Sequence, residues 1–204
     1  MRLVLFCEGH TEAKAMPLFL KRWLDGRLQK STKISPVRFQ GCHNLLSDIV
    51  NKARRYLLDD DVIAVISLLD LYGIPYPAHL DSVNKRYCWI KKDIENKVGN
   101  PRLRQFFAVH ELEAWLLSDP NIFPREVREA LQAIDKPETI NFDQPPAQLL
   151  QQLYKKHCNR EYKKVTNGLE LFLKLDPGLV YKKCPYFAQM MDEILDLAKL
   201  AYDS

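Results

Sequence analysis

No stretch of this chain approaches the roughly 20 consecutive apolar residues that a membrane-spanning helix requires, so a bilayer span is not expected. The five cysteines, Cys7, Cys42, Cys88, Cys158 and Cys184, are scattered, odd in number and never paired as Cys-x-x-Cys. A zinc knuckle or a dithiol redox motif therefore lacks its ligands, and the thiols read as small buried hydrophobes in a reducing compartment. Missing too are a glycine-rich phosphate loop ending in Gly-Lys-Ser/Thr, a GxGxxG turn and a GxSxG elbow. Their absence leaves P-loop nucleotide hydrolysis, dinucleotide binding and α/β-hydrolase chemistry without support. There is no internal repeat and no low-complexity tract. The opening MRLVLFCEGHTE is apolar only briefly and turns acidic at Glu8, which reads as a first strand rather than a leader, and the expected location is the cytoplasm.

What is present is ordinary globular composition. The chain has 204 residues, 47% of them hydrophobic, and a formal charge of +4. That is enough to bury a core without disulfides or a structural metal. The mildly basic balance permits nucleic-acid binding without requiring it.

The first half alternates strand and helix signals. Compact apolar runs at Leu3 to Cys7, Val62 to Leu69 and Leu103 to Val109 have the pattern of strands buried on both faces, with a further strand expected over Ser35 to Gln40. Helical spacing covers Thr11 to Leu28, with Leu18, Phe19 and Trp23 on one side, and Pro17 marks either a kink or a late start. It recurs at Asn44 to Leu58, His79 to Val98 and from His110 to Leu117, while Gly73, Pro75 and Pro77 break the chain after the third strand. Strands separated by helices of this length imply βαβ units, a mostly parallel sheet and an α/β fold. In the last third no strong strand is present. Helices are expected over Phe123 to Ile134, Ala147 to Lys156, Gly168 to Leu175 and Pro185 to Tyr202, with a turn-rich link from Lys136 to Pro146. The division is an α/β core over residues 1–120 and a helical C-terminal region over 121–204 packed on it.

Right-handed crossovers bring the strand C-terminal ends to one edge, where ligands of such sheets bind. That edge collects Glu8, Asp70 and the segment His110 to Glu113. Glu8 closes an apolar strand; Gly9 allows a tight turn, Thr11 is a candidate helix cap and Glu12 falls in the first helical turn, where it either complements the helix dipole or faces the same edge. Asp70 ends the central strand, where a carboxylate is costly to desolvate unless paired, metal-bound or used in an Asx-turn. On a helix His110 and Glu113 would share a face, whereas Glu111 would point elsewhere, to solvent or to a cap. Oxygen ligands without cysteine suit Mg²⁺ or Mn²⁺, and acids gathered at one edge suit metal-assisted phosphodiester chemistry. Glu8, Glu12, Asp70 and Glu113 are the candidate metal ligands, and Glu8, Asp70, Glu113 and His110 the candidate catalytic groups. Lys163, Lys164, Lys182 and Lys183 lie among tyrosines in the helical third and are candidates for holding a polyanion, most simply DNA; the alternative is a solvated helix surface.

Five segments occur in a telling order: Glu8-Gly-His-Thr-Glu12, Asp70-Leu-Tyr-Gly73, the run from His110 to Asp119, Pro137-Glu-Thr-Ile-Asn141 and Lys183-Cys-Pro-Tyr-Phe187. Together they resemble a bacterial family catalogued as a domain of unknown function with a Toprim-like fold, distantly similar to OLD-type Toprim nucleases. The resemblance covers nearly the whole chain. Toprim domains share a Glu after the first strand and Asp-x-Asp after a later one. The resemblance thus places Glu8 and Asp70 on those positions and makes Glu12 and Glu113 the extra acids of the OLD-like branch. The chain departs from the wider pattern at Tyr72, where the second Asp belongs. What the resemblance implies is a metal-dependent nuclease acting with an ATPase partner in defence or DNA processing. The rival expectation is a non-catalytic module that binds nucleic acid or the ATPase.

Overall fold

The computed structural model describes residues 1–72, 74–131, 133–139 and 145–203. Gly73, Gln132, residues 140–144 of the link, Asn141 among them, and Ser204 lie outside the described residues. Four strands, β1 (Arg2–Cys7), β2 (Lys33–Arg38), β3 (Val62–Asp70) and β4 (Leu103–Ala108), form one all-parallel sheet in the order β2-β1-β3-β4. The protein is an α/β fold with helices on both faces of that sheet.

The period of two sorts the strand side chains. Leu3, Leu5 and Cys7 of β1 enter one core with Ala64, Ile66 and Leu68 of β3 and Phe106 and Ala108 of β4. Val4, Phe6, Val65, Leu69, Leu103 and Phe107 enter the other. One extra residue, Ile63, is accommodated where the register slips between Arg2 opposite Val62 and Leu3 opposite Ala64. β2 is an edge strand, which is why it tolerates Pro36 and half-exposed side chains; it starts two residues earlier than its composition predicts.

Helix α1 (His10–Leu24) covers the first face, and α2 (Cys42–Tyr56) and α3 (Val83–Val98) cover the second. α1 starts at His10, so Pro17 sits inside the helix and the late start is not found; Leu18 faces outward at 56% exposure while Phe19 and Trp23 are buried. The remaining described helices are α4 (Glu113–Leu116), α5 (Arg125–Ala130), α6 (Pro146–Cys158), α7 (Lys164–Lys174), α8 (Pro177–Lys183) and α9 (Pro185–Asp203). They share the first face with α1 in a single core. Its centre is aromatic: Phe19 meets Trp115, Phe172 and Phe187, and Trp115 meets Phe187 edge-on at 4.8 Å. Arg22 of α1 fixes α7 by donating to the carbonyls of Phe172, Leu173 and Leu175 at 2.7–3.0 Å, satisfying the orphan acceptors of that helix end. Among the described residues no helix is long and apolar enough to cross a membrane.

Candidate functional site

The strand order reverses direction at β1: the chain goes from β1 outward to β2, then returns to β3 on the other side. The crevice outside the C-terminal ends of β1 and β3 is the switch point where such sheets bind ligands. Glu8 follows β1 and Asp70 ends β3, so the topology brings these two acids to that crevice.

Each acid is set by its own element. The Glu8 carboxylate accepts from the backbone N–H of Cys42, at the start of α2, and the Glu8 carbonyl accepts from Gly41 N–H at 3.2 Å. Gly41 has φ 97°, a backbone that favours glycine, and the turn it makes wraps the chain around Glu8. At Gly9 the side chain of Glu12 folds back over the backbone: a Cβ there would lie 2.7 Å from Glu12 Oε2 and would push that carboxylate aside. Gly9, not Thr11, is the α1 cap residue; the Thr11 hydroxyl instead donates to the Lys164 carbonyl at 3.4 Å. Asp70 Oδ1 accepts from Leu112 N–H at 3.0 Å and so holds the turn after β4. It acts as a cap across strands rather than within its own loop. Glu113, the first residue of α4, is 2% exposed, with Oε1 3.5 Å from the Tyr162 hydroxyl.

The four carboxylates interact. Burial holds Asp70 well above the usual carboxylate range; Lys164 pulls it down, and Glu113, Glu12 and Glu8 push it further up. Burial raises Glu8, helped by Glu12, and burial raises Glu113. The cation that answers them is Lys164, whose Nζ lies 3.1 Å from Glu113 Oε2 and 3.5 Å from Asp70 Oδ2. Burial alone would lower the Lys164 ammonium, but Asp70, Glu113 and Glu111 outweigh it and raise it. Lys164 is the donor in reach of the buried Glu113 Oε2, and its charge and hydrogen bond oppose the rise that burial causes in Glu113.

Lys164 is the residue that its local sequence disguises. In a lysine-rich run it reads as one of four polyanion-binding surface lysines; the fold turns it into the counter-ion of the acid cluster. Lys163 and Lys182 are exposed and Lys183 half-buried, at the start of α7 and the end of α8. Tyr162 also reaches the cluster, and no local pattern marks it. His110 differs from expectation as well. Helix α4 begins only at Glu113, and His110 precedes it with a left-handed backbone, φ 65°, so the two share no helical face. Burial lowers the His110 imidazole, and its charged neighbours are Glu111 and Arg86 rather than the four acids. Glu111 caps α6 by accepting from Ala147 N–H at 3.0 Å, one of its two expected fates.

Carboxylate oxygens are the donors that a hard divalent cation takes. The spacing as it stands is that of an ammonium site. Among the described residues no three His, Cys, Asp or Glu side chains are grouped closely enough to hold a metal ion. A groove of about 400 Å³ lies elsewhere, between β2 and α2, lined by Val37, Lys52, Arg55, Tyr56 and Asp59, with none of the four acids in its wall. No curated protein and no solved structure is significantly similar to the chain. A family model described as a domain of unknown function (DUF4276) matches residues 7–195, from the end of β1 to the middle of α9. The acid crevice and the helices around it all lie within that span, and the chain belongs to the DUF4276 family.

Proposed function

We propose that the chain is a divalent-metal-dependent phosphodiesterase of Toprim-like type that acts on nucleic acid at the crevice between β1 and β3. One observation carries the reading: Asp70 and Glu113 meet on Lys164 at the ends of the strands, and Glu8 and Glu12 lie near enough to Asp70 to push its carboxyl further up. A cation would favour the ionised form of these raised acids, and Asp70, Glu8 and Glu113 are the groups that would hold one. A bound Mg²⁺ or Mn²⁺ would neutralise the phosphate and activate the attacking water. Glu8, half-buried and raised, is suited to carry a proton at the reacting phosphate. Tyr72, half-exposed two residues beyond Asp70, stands where the wider Toprim pattern has an acid, which limits the ligand set and favours Mn²⁺ over strictly octahedral Mg²⁺. DNA is the expected substrate, in the cytoplasm, with an ATPase partner.

The test is nicking of supercoiled DNA with Mn²⁺, with and without an ATPase encoded beside the chain, comparing wild type with Glu8→Gln. Loss of nicking in the variant supports the reading; equal nicking by both identifies a contaminant. The Lys164 contacts favour a second reading, a non-catalytic module in which the lysine has permanently replaced the metal and the surface binds nucleic acid or the ATPase. Absence of cleavage by wild type under all these conditions would select it.

A further inference from the structure

We propose that the outer face of α3, with the aromatic residues that join it to the crevice, is a binding strip for an unpaired nucleic-acid strand, its bases stacked on Tyr72 and Trp89 and its phosphates held by Lys85, Arg86 and Lys92. The inference rests on the nucleic-acid reading above and adds the form of the polymer and the surface that takes it. Its starting point is where the rings are exposed. Among the described residues, Tyr72 at 50% and Trp89 at 39% are the two aromatic side chains more than a third exposed; the other described rings are buried or half-buried. A single apolar side chain in water is ordinary, but two linked rings at the ligand-binding edge of a sheet mark a contact surface. The link is Tyr76. Its hydroxyl donates to the carbonyl of Leu71, the residue before Tyr72, at 2.7 Å, and its ring meets Trp89 edge-on with centroids 6.4 Å apart. Tyr72 N–H donates to the His110 carbonyl at 3.0 Å, which fixes its backbone at the mouth of the crevice. The rings therefore run from the end of β3 onto the second turn of α3.

Cations flank them at helical spacing. Lys85 lies four residues before Trp89 and Lys92 three after it, so both share its face of α3. The run from Lys85 to Lys92 covers about 10 Å of helix. The Arg86 guanidinium lies over the Tyr76 ring, 5.2 Å from its centroid, and Nε donates to the Leu80 carbonyl at 2.9 Å. The nearby acids already hold lysines of their own, Asp81 with Lys85 at 2.9 Å and Asp93 with Lys97 at 2.6 Å. Lys92 makes no ion pair among the described residues, so Arg86 and Lys92 are surplus positive charge on this face. The Asp81–Lys85 pair is exposed and weak, which leaves Lys85 available to a phosphate. Surplus cations beside exposed rings are the combination that tracks a phosphate backbone while bases stack. The strip selects an unpaired strand, because the base faces of a duplex are covered by one another and cannot reach a ring. Since α3 starts at the crevice edge and runs back along the sheet, a strand laid on it meets the acids only at one end.

The experiment is titration of the full-length chain into labelled oligothymidylate, and into a labelled duplex of equal length, followed by fluorescence anisotropy. Wild type should bind the oligothymidylate more tightly than the duplex. Tyr72→Ala and Trp89→Ala should each weaken that binding about tenfold, the scale of one base–ring stack. Trp89→Phe keeps a ring and should stay near wild type. Lys92→Gln should reduce the slope of log affinity against log salt by about 0.7, the value for one phosphate on a single strand. Leu18→Ala, which alters an exposed apolar residue on α1 across the sheet, should change nothing. A second readout needs no label. Trp23 and Trp115 are 2% and 0% exposed, so quenching of tryptophan fluorescence by oligothymidylate reports Trp89 and should vanish in Trp89→Phe. Equal affinity in wild type, Tyr72→Ala and Trp89→Ala overturns the strip and turns its rings over to a protein partner, while the nuclease reading stands. Duplex bound as tightly as oligothymidylate overturns the selection of an unpaired strand and likewise leaves that reading. No binding of either nucleic acid by wild type removes the strip and the nucleic-acid reading together. Ring-dependent binding of oligothymidylate without DNA cleavage supports the strip and removes only the hydrolytic reading.

Discussion

Glu138 offers the sharpest energetic test of the fold that carries the site. It is 4% exposed on the single turn Pro137–Thr139, and its carboxylate accepts from Trp115 Nε1 at 3.3 Å, Tyr186 N–H at 2.8 Å and Phe187 N–H at 3.2 Å. It thereby joins α4, which bears Glu113, to the first turn of α9. Burial pushes the Glu138 carboxyl up from 4.5 to about 7, against the pull of its three donors. A carboxyl raised in the folded state stabilises the fold in its neutral form. That contribution is fully present below the unfolded value of 4.5 and is lost as pH rises through about 7. At about 1.4 kcal/mol per pH unit, the swing across this window is roughly 3 kcal/mol. Glu138→Gln keeps the size of the side chain and an acceptor oxygen but cannot ionise. Urea denaturation of wild type and variant, followed by tryptophan fluorescence across this window, isolates the group, because Asp70, Glu8 and Glu113 titrate in both proteins and cancel in the difference. The stability of the variant relative to wild type should rise by roughly 3 kcal/mol from the acidic to the neutral end of that window. A difference that stays flat over the window would refute the reasoning and show that the three donors hold the carboxylate ionised throughout.

Two further outcomes are expected. Arg22→Ala should lower stability by about 1–2 kcal/mol in chemical denaturation, since three carbonyls at the end of α7 lose their charged donor; a change near zero would mean water replaces the guanidinium at no cost. Replacing Lys163, Lys182 and Lys183 with Gln should reduce the slope of log DNA affinity against log salt by about 0.9 for every phosphate these lysines neutralise, and a retained slope would exclude all three from the interface.

The parts of the structure legible in the sequence are those specified locally. β1, β3 and β4 announce themselves as apolar runs because both faces are buried, and α9 and α6 by their spacing. The short α8 is not legible in this way: its seven residues show too little periodicity, and it starts at Pro177 with Asp176 as cap. α4 begins later than its spacing suggests, because His110 carries no mark of a left-handed backbone. At the site, Glu8 and Asp70 are conspicuous because each is a carboxylate at the end of a buried strand. Lys164 is not, since its role depends on α7 docking against α1 some 150 residues away in sequence, and nothing near it distinguishes it from Lys163. Glu138 stands in one of the five ordered segments, yet its role is hidden for the same reason: its partners Trp115, Tyr186 and Phe187 come from segments 23 to 49 residues distant.

The most direct measurement is the position of manganese in crystals of Lys164→Gln grown with Mn²⁺, located by its anomalous scattering. The expected result is a peak in the crevice at the ends of β1 and β3, bounded by carboxylate oxygens of Glu8, Asp70 and Glu113 and abolished when Asp70→Asn and Glu8→Gln are added. A map with no peak there, or with manganese bound only elsewhere on the surface, would contradict a metal site at these acids.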